Sequence, residues 1–125
     1  MQADEMMFFD AWRQLLPLYA AFRERVLSLW PDTQIRVQKT QISFYNRHLF
    51  ACVFLPERRF RGQPRSYLGV SLGLGRALES PRAAMIAQPY PGRFTHHFCL
   101  TQPEEMDEEW ENWLREAYAF AQNKK

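Results

Sequence analysis

Arg93, Thr95 and His97 occupy alternate positions of the segment Arg93-Phe94-Thr95-His96-His97-Phe98. In a strand, alternate side chains share a face. A guanidinium, a hydroxyl and an imidazole on one face are groups that hold an anion: a forked cation, a hydrogen-bond donor and a group titrating near neutral pH. Lys39 and Arg82 would bring charge from other segments. The first expectation is that Lys39, Arg82, Arg93, Thr95 and His97 converge beside one sheet. There they would form a binding module for an anionic small molecule or nucleotide, with His97 tuning binding with pH. A second reading makes His97 and Lys39 an acid–base pair in a small enzyme, which requires both to reach one substrate atom. The plain alternative for each residue is a polar strand face in water.

A second cluster lies in PERRFRGQPR, residues 56–65, where Arg58, Arg59, Arg61 and Arg65 surround Phe60. Guanidinium groups bind phosphate and an exposed aromatic ring stacks on a base, so this is the composition of a nucleic-acid contact. It is equally the composition of a solvated hairpin whose charges discourage edge pairing. Sixteen basic residues stand against fourteen acidic ones. That mild balance speaks against strong unspecific DNA binding and makes nucleic acid the lesser reading.

Several chemistries are excluded. The glycines at 69, 73 and 75 lack the Lys-Ser/Thr and following helix of a phosphate loop, and there is no HExxH and no CxxC pair. Between residues 35 and 100 only Glu57 and Glu79 are acidic, too few for a metal-dependent nuclease core or a carboxylate-pair hydrolase. His97 and Cys99 share a face, but a zinc site would also need Cys52 or His48. Buried thiols more commonly just pack, so no metal and no cofactor is expected. Cys52 and Cys99 read as reduced thiols, and a bridge between them would need facing positions on adjacent strands. His96 points away from His97, among Phe94 and Phe98, and reads as a satisfied, partly buried imidazole.

The elements that must position these groups follow from periodicity. The chain has 125 residues, 46% of them hydrophobic and 15% aromatic, which is one domain's worth of core. Residues 5–16 read as a helix, which Pro17 kinks or replaces by a second one carrying Leu18, Phe22, Val26 and Leu29 on one face. Ile35 and Val37 alternate with polar residues, then Ile42 and Phe44 take up the opposite phase. A bulge, bend or turn is therefore required in Lys39-Thr40-Gln41. Leu49–Leu55 is apolar throughout, as in a central strand. Leu68, Val70, Leu72 and Leu74 face one way and Tyr67, Gly69, Ser71 and Gly73 the other. That second face admits a backbone, a ring or a ligand, with a helix the expected occupant. Residues 82–88 and 94–100 read as further strands around the turn Pro89-Tyr90-Pro91-Gly92. Thr101 with Glu104 reads as the capping box of a last helix, with a stripe at Met106, Trp110, Trp113, Leu114, Ala117 and Ala121.

The expected fold is α+β: an antiparallel sheet of four to five strands packed by one or two N-terminal helices and a C-terminal helix. Residues 1–125 form a single domain, with 1–17 a helical extension and 18–122 the core. Charge is uneven along it. Residues 35–100 carry ten basic and two acidic side chains, while both ends are net acidic. Such asymmetry steers an anion, or pairs the ends with the middle inside the fold. The acidic N-terminus is unlike a signal peptide, no apolar run is long enough to span a bilayer, and a cytoplasmic monomer or homodimer is expected. A third reading is an interaction domain that docks another chain on the glycine-rich face or the first helix.

The runs Val37-Gln38-Lys39-Thr40-Gln41-Ile42-Ser43-Phe44, Phe50-Ala51-Cys52-Val53, Tyr67-Leu68-Gly69-Val70, Arg93-Phe94-Thr95-His96-His97 and Trp113-Leu114-Arg115-Glu116-Ala117-Tyr118 resemble a family of small bacterial domains of unknown function, numbered 5655. The resemblance covers about residues 18–122, and residues 1–17 depart from the pattern. Members resemble stand-alone proteins or appendages of larger ones, some with nuclease-like modules. The resemblance implies a fold and a suspect face, and no reaction.

Overall fold

The computed structural model describes residues 1–124. Helix α1 (Ala3–Phe8) is followed by a 3-10 turn (Arg13–Leu15) and helix α2 (Leu16–Leu29). Strands β1 (Gln34–Val37), β2 (Ile42–Tyr45), β3 (Leu49–Phe54), β4 (Leu68–Leu74), β5 (Met85–Tyr90) and β6 (Arg93–Leu100) come next, then helix α3 (Glu108–Gln122). The strands form one antiparallel sheet in the order β1-β2-β3-β4-β6-β5. The sheet has six strands rather than the expected four to five. The phase change at Lys39-Thr40-Gln41 is a hairpin turn, closed by Gln38 N–H donating to the Gln41 carbonyl at 2.8 Å, so it separates two strands. Met85–Tyr90 also pairs, along the outer edge of β6.

Two helix boundaries differ from the expectation for local reasons. Pro17 lies in the first turn of α2, where a missing N–H costs nothing, so it starts a second helix, one of the two expected outcomes; the first helix spans Ala3–Phe8 instead of 5–16. At the other end Glu105, not Glu104, reaches back, its Oε1 accepting from Thr101 N–H, Thr101 Oγ1 and Gln102 N–H. That winds only a 3-10 turn (Pro103–Glu105), and α3 begins later, capped by the Asp107 carboxylate accepting from Trp110 N–H at 3.0 Å. The stripe Trp110, Trp113, Leu114, Ala117 and Ala121 is buried as its spacing requires, while Met106, also buried, precedes the helix.

One face of the sheet carries Ile42, Phe44, Ala51, Val53, Val70, Leu72, Phe98 and Leu100 against α2 and α3. Phe22 meets Phe44 edge-on at 5.2 Å, and Phe98 meets Trp110 at 5.8 Å. Phe9, ahead of α2, is fully buried in this same core, 4.9 Å from the Tyr19 ring. A bulge between β2 and β3 pairs Phe44 with Ala51 but Tyr45 with Leu49. The unmatched residue, Phe50, turns to the helical side and packs edge-on against Trp30 at 5.3 Å and Tyr118 at 4.9 Å.

Among the described residues the other face has no helix; the loop after β3 folds back over one end of it and packs Phe60 with Tyr67, Cys99 and Phe54. The glycines of β4 do not receive a helix. A Cβ on Gly69 would fall 2.3 Å from the Phe54 ring, and one on Gly73 2.6 Å from the Arg93 guanidinium. Gly69 is thus a seat for a ring and Gly73 a seat for a cation.

Candidate functional site

Strand register decides what meets on the helix-free face. Arg36 pairs with Ser43, Ser43 with Cys52, Cys52 with Ser71, Ser71 with His97, and His97 with Met85. Paired residues point to the same side, so these six side chains form one row across all six strands. The neighbouring row carries Gly73 opposite Thr95. Arg93, two residues before Thr95, lays its guanidinium on Gly73 and so points toward the middle of the face.

A cavity of about 210 Å³ opens there, lined by Gln41, Cys52, Ser71, Arg93, Thr95 and His97 among others. An adjoining recess of about 200 Å³ shares Gln41, Cys52, Ser71 and His97 with it and adds Phe54, Arg58 and Phe60. Neither lining contains a carboxylate. Arg93 makes no ion pair among the described residues. A guanidinium does not lose its proton at physiological pH, so the cavity carries an uncompensated fixed positive charge.

His97 is half-buried and firmly held. Its Nδ1 lies 2.8 Å from Ser71 Oγ, and its ring meets Phe54 edge-on at 5.7 Å and Phe60 at 5.8 Å. Burial first, then the positive charge of Arg58 and the neighbouring ionisable His96, hold its pKa below the ordinary value of 6.5. It is therefore a neutral imidazole at pH 7, offering one donor and one acceptor. Cys52 accepts a hydrogen bond from Gln41 Nε2 at 3.3 Å. Burial pushes its thiol pKa up, against a weaker downward pull from Ser43, Arg93 and Gln41. It is a thiol at neutral pH, not an activated thiolate. Cys52 and Cys99 are both free, and among the described residues no three His, Cys, Asp or Glu side chains gather as metal ligands would.

The five residues expected to converge divide three to two. Arg93, Thr95 and His97 line one cavity. Lys39 is exposed in the β1–β2 turn and is not among the residues lining the two cavities that His97 lines. Arg82 lies by α3: its Nη1 is 3.0 Å from Asp107 and 2.8 Å from Glu109, and its Cζ stands 5.3 Å from the Trp113 ring centre. Those carboxylates neutralise it and remove it from the anion set.

The arginine-rich loop also differs from its expected form. Phe60 is only 5% exposed, and Arg58 lies over its ring with Cζ 4.8 Å from the centroid, so it is no open stacking platform. Tyr67 fastens the loop by donating its hydroxyl hydrogen bond to the Arg58 carbonyl. Arg59, Arg61 and Arg65 are exposed at the loop surface. Sequence reasoning missed Gln41, Cys52 and Ser71 as lining residues. The alternation around Ser71 places it on the glycine face, but only the pairing of β3 with β4 and of β4 with β6 brings Cys52 and His97 to its sides.

His96 has the opposite role. It is fully buried, its Nε2 accepts from Leu78 N–H at 3.0 Å, and its Nδ1 lies 3.1 Å from the Phe94 carbonyl. Accepting at Nε2 fixes the proton on Nδ1, which donates to Phe94. The ring thereby ties the connector between β4 and β5 to the sheet, as a satisfied imidazole should.

No helix among the described residues is long and apolar enough to cross a membrane. No curated protein and no solved structure matches the chain. A family model described as Domain of unknown function (DUF5655) matches residues 7–121, which takes in every strand, α2 and nearly all of α3, so the chain belongs to that family.

Proposed function

We propose that the protein is a binding module that holds an anionic, phosphate-bearing small molecule or nucleotide on the helix-free face of its sheet, with Arg93 as anchor. One observation carries this reading. The Arg93 guanidinium rests on Gly73, has no carboxylate partner among the described residues, and opens into a cavity lined by Thr95, Ser71 and His97 without an acidic residue. Forked guanidinium donors match two oxygens of a phosphoryl group, and the hydroxyls and neutral imidazole supply further hydrogen bonds. At about 210 Å³ the cavity is smaller than the roughly 300–1,000 Å³ of sites for drug-sized ligands, so it suits a phosphoryl group, the remainder of the ligand lying over the adjoining recess.

Titration of the protein with inorganic phosphate and with adenosine monophosphate, followed by amide NMR shifts, tests the reading. Residues 93–97 and 71–73 are expected to move, and the affinity to fall as salt rises. Arg93→Ala is expected to weaken binding about tenfold or more, the worth of a charge-assisted hydrogen bond. Gly73→Ala provides an independent check, because its Cβ would displace the flexible end of Arg93 while leaving the sheet intact. Absence of shifts at millimolar ligand, or binding by both variants unchanged from the unsubstituted protein, overturns the reading.

A further inference from the structure

We infer that the anion is a single-stranded polynucleotide laid across the strands, an inference that rests on the anion-binding reading above and names its ligand class. Six strands spaced by about 4.8 Å make a surface roughly 24 Å across. A third recess, of about 350 Å³, lies toward its β1–β2 side, lined by Arg36, Tyr45 and Arg47 among others. Gln41 lines this recess, the Arg93 cavity and the Phe54 recess alike, so the three form one continuous track.

No carboxylate lines any part of that track, while Arg36, Arg47, Arg93 and Arg58 do. Arg59, Arg61 and Arg65 extend the positive field beyond it. Of the ten basic residues between 35 and 100, only Arg76 and Arg82 reach carboxylates among the described residues, and both do so on α3 or its cap. The acidic end of the chain therefore neutralises the helical side and leaves the sheet side positive. One phosphate at Arg93 leaves the arginines at either end without a partner. A polymer with a phosphate at every nucleotide engages them in series.

Planar groups accompany the charges. Arg36 Cζ lies 5.1 Å from the centre of the half-buried Tyr45 ring and covers it as Arg58 covers Phe60, so the plane offered to a base there is the guanidinium itself, and the partly buried Phe54 ring walls the far recess. Aromatic and guanidinium planes are what unpaired bases stack on. The same face argues against a duplex. Among the described residues the helices lie on the other side, and Phe60 and Tyr67 fold the loop of residues 56–65 down, so no helix stands on this face to enter a groove.

Fluorescence anisotropy with the full chain tests this. The probes are a labelled oligothymidylate of about ten nucleotides, adenosine monophosphate as competitor, a duplex of equal length and polyglutamate. The oligonucleotide is expected to bind at least about tenfold tighter than the mononucleotide. Its log affinity should fall with log salt at a slope of about −3, from four contacts at about 0.7 each. Arg36→Ala combined with Arg47→Ala is expected to weaken the oligonucleotide about tenfold, to reduce that slope by about 1.4, and to leave the mononucleotide unaffected. If the mononucleotide binds and the oligonucleotide binds no tighter, the polynucleotide inference is wrong and the anion reading stands. The polynucleotide inference fails in the same way if the duplex or polyglutamate binds as well, or if the double variant changes nothing. If neither nucleotide probe binds, both readings fall.

Discussion

Two adjacent histidines behave differently because a strand sends neighbouring side chains to opposite faces. His97 joins a polar cavity, and His96 enters the core, where Leu78 N–H and the Phe94 carbonyl occupy both of its nitrogens. Burial lowers the pKa of His96 below 6.5, outweighing the pull of the Phe94 hydrogen bond; Arg76 adds a small downward effect and Glu116 a small upward one. Between the folded and unfolded pKa values the unfolded chain binds the extra proton, so stability is full above pH 6.5 and declines as pH falls. His97 adds a second contribution of the same sign. Urea titrations between about pH 7.5 and 5.5, above the carboxylate range, should lose up to about 1.4 kcal/mol per pH unit for each histidine. His96→Gln is expected to remove roughly half of that slope, and an unchanged slope would show that His96 titrates normally. The type and spacing of these residues made their division between faces legible. Their partners were not, because Leu78 lies eighteen residues away in a connector without periodicity.

At the scale of the element, β4 shows how two glycines in one strand do different work. Gly69 accepts the Phe54 ring and Gly73 the Arg93 guanidinium. A methyl group on Gly69 would meet a ring fixed among Phe60, Tyr67 and His97, whereas one on Gly73 would meet the free end of a long side chain. Gly69→Ala is therefore expected to destabilise by about 1–3 kcal/mol, and Gly73→Ala by less than about 1 kcal/mol, in thermal or urea unfolding. Equal costs would contradict the seating. Alternation in the sequence predicted a nearly bare face here, and the face is indeed built of glycine, serine and tyrosine. What fills it was not legible, since Phe54 and Arg93 arrive from neighbouring strands through register. The bulge that turns Phe50 toward the helices is hidden for the same reason: it exists only as a mismatch between two strands.

The whole molecule separates charge. Acidic α3 and its cap draw Arg25, Arg76 and Arg82 to the helical side, leaving the helix-free face with arginines and no facing acid among the described residues. The expected pairing of an acidic end with the basic middle is thus seen at Arg76 and Arg82. The N-terminal segment belongs to the same body. Phe9 is fully buried, and Glu5, 2% exposed, accepts from Tyr19 Oη at 2.6 Å and Arg23 Nε at 2.8 Å. Burial pushes the Glu5 carboxyl up, but the hydrogen bonds from Arg23, Tyr19 and the Gln2 backbone outweigh it and leave its pKa below the ordinary value. Phe9→Ala is expected to cost about 3–5 kcal/mol in urea unfolding, whereas an appended segment would cost almost nothing.

The sequence by itself determined the α+β class, the hydrophobic faces of α2 and α3, the shared face of Arg93, Thr95 and His97, and the opposite orientation of His96. Each follows from period and phase within one segment, which local geometry enforces. Only the tertiary structure decided that Lys39 and Arg82 are left out of the lining of the His97 cavity and that Ser71 and Cys52 join it. Contacts between segments depend on strand order and register, and those are set by the packing of the entire core rather than by any single run of residues.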